Sequence, residues 1–195
     1  MIKSVSRIWQ ALALVAGVQT AVLGWIVWDR VSLLQTGREV VLEVTPVDPR
    51  SLFRGDYVIL SYQISRVSSA LLVGPPPVSG APVYVTIEQK EGNWHTVALS
   101  ASRPSGPTAG QVVLAGRLRR NDWRRLGGEG RSPDATVGVR FGIESYFVPE
   151  GKGRALESLV QDRRISAVIA VGADGAAAIK GLAVDGKRLY EEPLL

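Results

Sequence analysis

From Ile8 to Trp28 no charged side chain interrupts the chain, and only Gln10, Gln19 and Thr20 break a run of Ala, Leu, Val, Ile, Gly and Trp. As an α-helix this run rises about 31 Å, close to the thickness of a hydrocarbon core. Trp9 stands at one end and Trp25 and Trp28 at the other, where indole rings settle at a bilayer interface. A cleaved signal peptide would carry a shorter apolar run and a small-x-small cleavage site, whereas this run ends in Trp25-Ile26-Val27-Trp28. A buried core helix would show a polar face, and almost none is present. The pattern therefore predicts an uncleaved anchor contacting the lipid bilayer through residues 8–28. Lys3 and Arg7 precede the span, and Asp29 and Arg30 follow it and cancel. This bias predicts a single-pass protein of the inner (cytoplasmic) membrane, N-terminus in, with the C-terminal domain periplasmic or extracellular.

Beyond Gly37 the apolar positions switch to short alternating runs punctuated by Gly, Pro and Asp. Strands are predicted over Val40–Val44, Tyr57–Ile64, Val83–Gln89, Trp94–Leu99, Gln111–Leu118 and Thr136–Phe147. Lys90-Glu91-Gly92-Asn93 predicts a hairpin turn, as do Ala173-Asp174-Gly175 and Asp185-Gly186 within a final strand series over 165–190. Ala155–Arg164 carries Leu156, Leu159 and Val160 at helical spacing and predicts the one short helix. The expected organisation is a cytoplasmic tip and anchor over 1–28, a connector over 29–39 and a β-rich domain over 40–195. The expected fold class is mainly β: a single antiparallel barrel- or sandwich-like domain behind the anchor.

Composition narrows the chemistry. The chain has no cysteine, so it holds no disulfide, thiol nucleophile or Cys-ligated metal. His95 is the only histidine, and its place beside the 90–93 turn suits a solvated or cross-strand side chain. No Gly-rich phosphate loop joins a strand to a helix, and no cofactor or metal is expected. The net charge is +5, of which Lys3 and Arg7 supply two. The remaining +3 is too mild for a nucleic-acid binder. Charge does concentrate locally at Arg117, Arg119, Arg120, Arg124 and Arg125, with Trp123 among them. That stretch is read either as a surface for phospholipid headgroups or another anionic polymer, or as a basic loop balanced elsewhere.

Two further stretches carry a family resemblance. "GDYVILSY" holds Gly55, Asp56, Tyr57, Leu60 and Tyr62 at all the positions that name the GDYXXLXY family of bacterial membrane-anchored proteins. "FGIESYFVPEGKG" resembles that family's second signature, with Phe141 where Tyr is usual, and supplies Gly142, Glu144, Tyr146, Phe147, Pro149, Glu150 and Gly151. The resemblance brings no defined activity. It implies a membrane complex with a polytopic membrane protein, and hence an accessory or binding module of the envelope.

The residues themselves leave two classes open. In the first motif, Asp56 reads as a carboxylate capping the turn before a strand, or as a functional acid. Strand alternation sets Tyr57, Ile59 and Ser61 against Val58, Leu60 and Tyr62. In the second motif, Glu144 and Glu150 are either the two carboxylates of a glycan hydrolase or members of an ion-pair network. The turn and Gly-Asp entry also resemble the β-rich Ser-Lys peptidases, but the position eight residues before Gly55 is Val47. A Ser51–Lys180 pair is what remains of that reading. The alternative to a binding module is therefore a membrane-tethered hydrolase of peptide or glycan.

Overall fold

The computed structural model describes residues 2–45, 57–127, 135–147, 159–160, 162 and 164–191. Helix α1 (Ile2–Thr36) is followed after Gly37 by β1 (Arg38–Thr45). The chain continues through β2 (Tyr57–Ile59), β3 (Ser61–Tyr62), β4 (Arg66–Ser68), β5 (Leu72–Val73), β6 (Pro82–Lys90), β7 (Asn93–Ser100) and β8 (Gln111–Leu118). It ends with α2 (Trp123–Leu126), β9 (Thr136–Arg140), β10 (Ser145–Phe147), β11 (Ile165–Val171), β12 (Ala177–Val184) and β13 (Lys187–Glu191).

The strands form a sheet in the order β13-β12-β11-β1-β3, a sheet in the order β4-β9-β8-β6-β7-β5, and a β10-β2 ribbon. The arrangement is sandwich-like, with no closed barrel among the described strands. Strand β1 buries Val40, Leu42 and Val44 and turns Val41 and Glu43 outward. Those three side chains join Ala167, Ile169 and Val171 of β11 in one core with Val83, Val85, Ile87, Leu99 and Leu114 of the second sheet. Each fully buried Val, Leu or Ile there stabilises the fold by about 1.5–3 kcal/mol. The hairpin turns follow their sequences: Glu91-Gly92 and Asp185-Gly186 all take positive φ, the geometry that two-residue hairpins require. Turn 172–175 reaches across to the second sheet, where Ala115 N–H donates to Gly175 O at 2.8 Å. A Cβ at Gly175 would stand 2.9 Å from Ala115 N, so only glycine allows this approach.

Helix α1 has two parts. Residues 9–30 are exposed along their whole length, and Trp9–Thr36, which holds an 18-residue window with a mean hydropathy of 1.8, is long and apolar enough to cross a membrane. The last turns dock on the β-domain, where Leu34 is buried against Ala170 and Ala178 with Leu33 beside it. A Cβ at Gly37 would fall 2.5 Å from Leu33 O and 3.0 Å from Ala170 Cβ. Gly37 thus lets the chain turn directly from helix into β1. Small residues on the outer face of β11 and β12 make room for the helix end.

Three sequence expectations change. The run over 57–64 is not one strand. It switches partners at Leu60, with β2 pairing β10 and β3 pairing β1, and passes into a 3-10 turn at Gln63–Ser65. The run over 136–147 is broken between β9 and β10 by a turn in which Gly142 takes φ +81°. A second described helix, α2, lies inside the arginine-rich stretch, where one apolar residue, Leu126, is buried and no periodicity announces it. Of the expected 155–164 helix, Leu159 and Val160 are helical, and residues 155–158, 161 and 163 lie outside the described residues. The sheet pairings are otherwise antiparallel, apart from the short parallel pair β5–β7.

Candidate functional site

The two signature stretches meet. Tyr57, Val58 and Ile59 pair in register with Phe147, Tyr146 and Ser145. Where the first stretch leaves β2, Leu60 N–H donates to Glu144 O at 2.9 Å. Two residues on, the buried Tyr62 hydroxyl donates to Ile143 O at 2.7 Å. Leu60, Tyr62, Ile143 and Tyr146 are all buried, so the joint is sealed by apolar packing as well as by hydrogen bonds. Burial first, and the nearby Glu144 carboxylate second, push the Tyr62 phenol well above its usual range. It therefore remains protonated and keeps its donor role.

Glu144 occupies the turn between β9 and β10 rather than a strand. Its carboxylate accepts from Phe141 N–H at 2.6 Å and Gly142 N–H at 3.0 Å. A carboxylate bonded to two backbone amides is held in one orientation, and here it satisfies donors that the turn leaves unpaired. Glycine at 142 supplies the left-handed conformation this turn needs. Glu144 is thus the turn cap of the second motif, the role the sequence suggested for Asp56 in the first. Gly55, Asp56, Ser51, Pro149, Glu150 and Gly151 lie outside the described residues.

Lys180 stands elsewhere. The β11–β12 register steps from Val168–Gly181 to Ile169–Ile179, leaving Lys180 as the bulged residue. Its amine reaches Glu39 of β1 at 2.6 Å, and Arg188 of β13 reaches the other oxygen of Glu39 at 2.6 Å. The hydrogen bond from Lys180 is the largest of the causes that lower the Glu39 pKa. The Lys180 amine is thus taken up by the Glu39 carboxylate, and Ser51, its partner in the Ser-Lys reading, lies outside the described residues. His95 is exposed on β7 opposite Glu88 of β6, a cross-strand position.

The arginine-rich stretch divides into two sets. Arg125 donates to Thr136 O at 3.1 Å and lies 3.7 Å from Asp122, whose other carboxylate oxygen accepts from Gly138 N–H at 2.8 Å. Arg124 lies over the Trp123 ring, 5.5 Å from its centroid. These contacts fasten α2 to β9. Arg117, Arg119 and Arg120 have no carboxylate partner within 4 Å among the described residues. Arg119 and Arg120 line an open cleft of about 420 Å³ with Arg140, Glu144, Ser61 and Ser65. Arg117 and Arg140 line the neighbouring cleft of about 540 Å³. Arg140, Ser61 and Ser65 were not singled out in the sequence. Ser61 and Ser65 lie far from Arg140 along the chain, and the β4–β9 pairing, with Arg66 opposite Gly138, brings the two segments together.

A β-sandwich-like domain carried behind a helix able to span a bilayer is the class these features define. Within it, the model of the family described as GDYXXLXY protein matches residues 19–182, and the chain belongs to that family. The match begins inside α1, so the second half of the apolar helix is included with the β-domain. No curated protein and no solved structure matches the chain significantly.

Proposed function

We propose that the protein is an extracytoplasmic accessory module of a bacterial envelope complex, anchored by a single span with its N-terminus in the cytoplasm. It works by binding, with no chemistry of its own. The observation that carries this reading is the double amide contact of Glu144. It supports a structural role for the one described signature carboxylate and speaks against the two-carboxylate hydrolase. The Glu39–Lys180 ion pair acts in the same direction against a Ser-Lys mechanism.

Two features support a partner within the membrane. Residues 9–30 of α1 are exposed, with none of the described residues covering them. Ala13, Gly17, Ala21 and Gly24 fall within about 80° of one another around the helix axis, and small residues on one face allow close helix approach in lipid. Arg117, Arg119, Arg120, Trp123, Arg124 and Arg125 provide a basic surface for anionic groups.

The test is affinity purification of the full chain, with its native anchor, from detergent-solubilised bacterial membranes. Wild type and Glu144→Gln should recover the same polytopic membrane protein, and a chain whose residues 9–28 are replaced by leucine should lose it. Peptide or glycan hydrolysis by the purified chain that Glu144→Gln abolishes would overturn the reading. Orientation is read separately: alkaline phosphatase fused after Leu195 should be active and green fluorescent protein dark.

A further inference from the structure

We infer that the cleft walled by Ser61–Ser65, Leu118–Arg120 and Arg140–Glu144 is a binding site for a phosphate-bearing small molecule or headgroup, held by Arg119, Arg120 and Arg140 and by the Ser65 hydroxyl. The inference rests on the basic-surface reading above and narrows it to a defined site.

Two independent observations point there. Three guanidinium groups border one cleft, and none has a carboxylate within 4 Å among the described residues. Among the described residues the single acid on the wall is Glu144, which already accepts two backbone amides, so these residues leave an excess of positive charge. The second observation is Ser65. It is 5% exposed, lines the cleft, and its Oγ is the one buried side-chain polar atom without a hydrogen-bond partner among the described residues. Buried hydroxyls in folded proteins are nearly always bonded, and an unbonded one signals a missing partner. An oxyanion meets both requirements: it accepts from the Ser65 hydroxyl and from the paired N–H groups of arginine, whose planar fork matches phosphate geometry.

The volume, about 420 Å³, falls in the range of small-molecule sites, about 300–1,000 Å³. It exceeds what a bare phosphate ion fills. The apolar Leu118 on the wall suits the carbon skeleton of a phosphate mono- or diester. Arg119 is preset for the task, because its stem lies on Gly138, where a Cβ would be 2.6 Å from Arg119 Cδ. Any side chain at position 138 would displace the arginine.

The test uses the full chain in non-ionic detergent, with inorganic phosphate as the probe and chloride balancing ionic strength. Wild type should show a saturable rise in melting temperature with phosphate. Arg140→Gln should weaken the apparent affinity at least tenfold. Ser65→Ala should raise the melting temperature without phosphate, since it removes an unbonded buried hydroxyl, and should also weaken phosphate binding. Lys187→Gln, the same charge loss on exposed β13, should behave as wild type. The source of the group is read in nanodiscs. Phosphate binding blocked by phosphatidylglycerol but not by phosphatidylcholine identifies a lipid headgroup, and equal binding in both identifies a soluble phosphoester. The inference is overturned by the absence of a saturable phosphate effect, by Lys187→Gln weakening it as much as Arg140→Gln, or by Ser65→Ala lowering the stability of the phosphate-free protein. Those outcomes leave the partner purification unaffected, so the two readings fail separately.

Discussion

The joint between the signature stretches and the arginine-lined cleft beside it share a wall, yet they are built on opposite principles. In the joint, each polar group described is bonded inside the protein: Tyr62 to Ile143, Leu60 to Glu144, and Glu144 to Phe141 and Gly142. In the cleft, Arg119, Arg120 and Arg140 lack carboxylate partners and the Ser65 hydroxyl lacks any partner among the described residues. A buried group with its bonds made holds the fold. A cationic group held without an internal partner is available to something outside. The contrast supports an architectural role for the signature tyrosine and glutamate, and on the inference above the binding capacity rests with residues outside the named pattern.

Stability measurements on the full chain should separate the two regions, with the joint showing the largest effects. Tyr62→Ala should destabilise by about 3–5 kcal/mol, the range for truncating a large buried aromatic. Tyr62→Phe should cost about 1–3 kcal/mol, because it leaves the Ile143 carbonyl buried without its donor. Glu144→Ala should cost on the order of 1–2 kcal/mol by unpairing two amides, and Glu144→Gln less, since an amide oxygen still accepts one bond. Chemical denaturation checks this order, and a Glu144→Gln variant less stable than Glu144→Ala would contradict the cap. Arg120→Gln in the cleft should change stability by less than about 0.5 kcal/mol.

The outer face of the first sheet supplies a pH-dependent counterpart. The Glu39 carboxyl is lowered first by its hydrogen bond with Lys180 and further by Arg188. A group whose folded pKa is depressed contributes stability above its unfolded pKa and loses it as pH falls through the folded value. The contribution should therefore be complete above the ordinary value of 4.5 and fade as the pH falls below it. It should stay under about 1 kcal/mol, because the pair is partly exposed and screened. Melting curves of wild type and Glu39→Gln should converge in acid and separate near neutral pH.

Much of the fold was legible in the pattern of residues. The uncharged run to Trp28, the Glu91-Gly92 and Asp185-Gly186 turns, and the alternation of Val40, Leu42 and Val44 each determine local structure by rules that need no distant partner. The breaks at Leu60 and at 141–144 were not legible, because both arise from pairing between segments about eighty residues apart. Periodicity alone continues Thr136–Phe147 as one strand. Only the two amides gathered by Glu144 show that a turn was needed there. Distance along the chain also concealed the cleft, since Ser65, Arg119 and Arg140 meet only once β9 has paired with β4 and β8. Arg117 through Arg125 were visible as a basic run, but which guanidinium groups would be occupied by Asp122 and Thr136 depended on where α2 docks.

The central claim is that the two signature stretches form one structural joint. Amide hydrogen exchange on the full chain in detergent micelles, comparing wild type with Glu144→Ala, tests it most directly. The account predicts that protection falls together in residues 57–62 and 141–147, while β6, β7 and β8 keep theirs. Loss confined to residues 141–144, with 57–62 still protected, would contradict it.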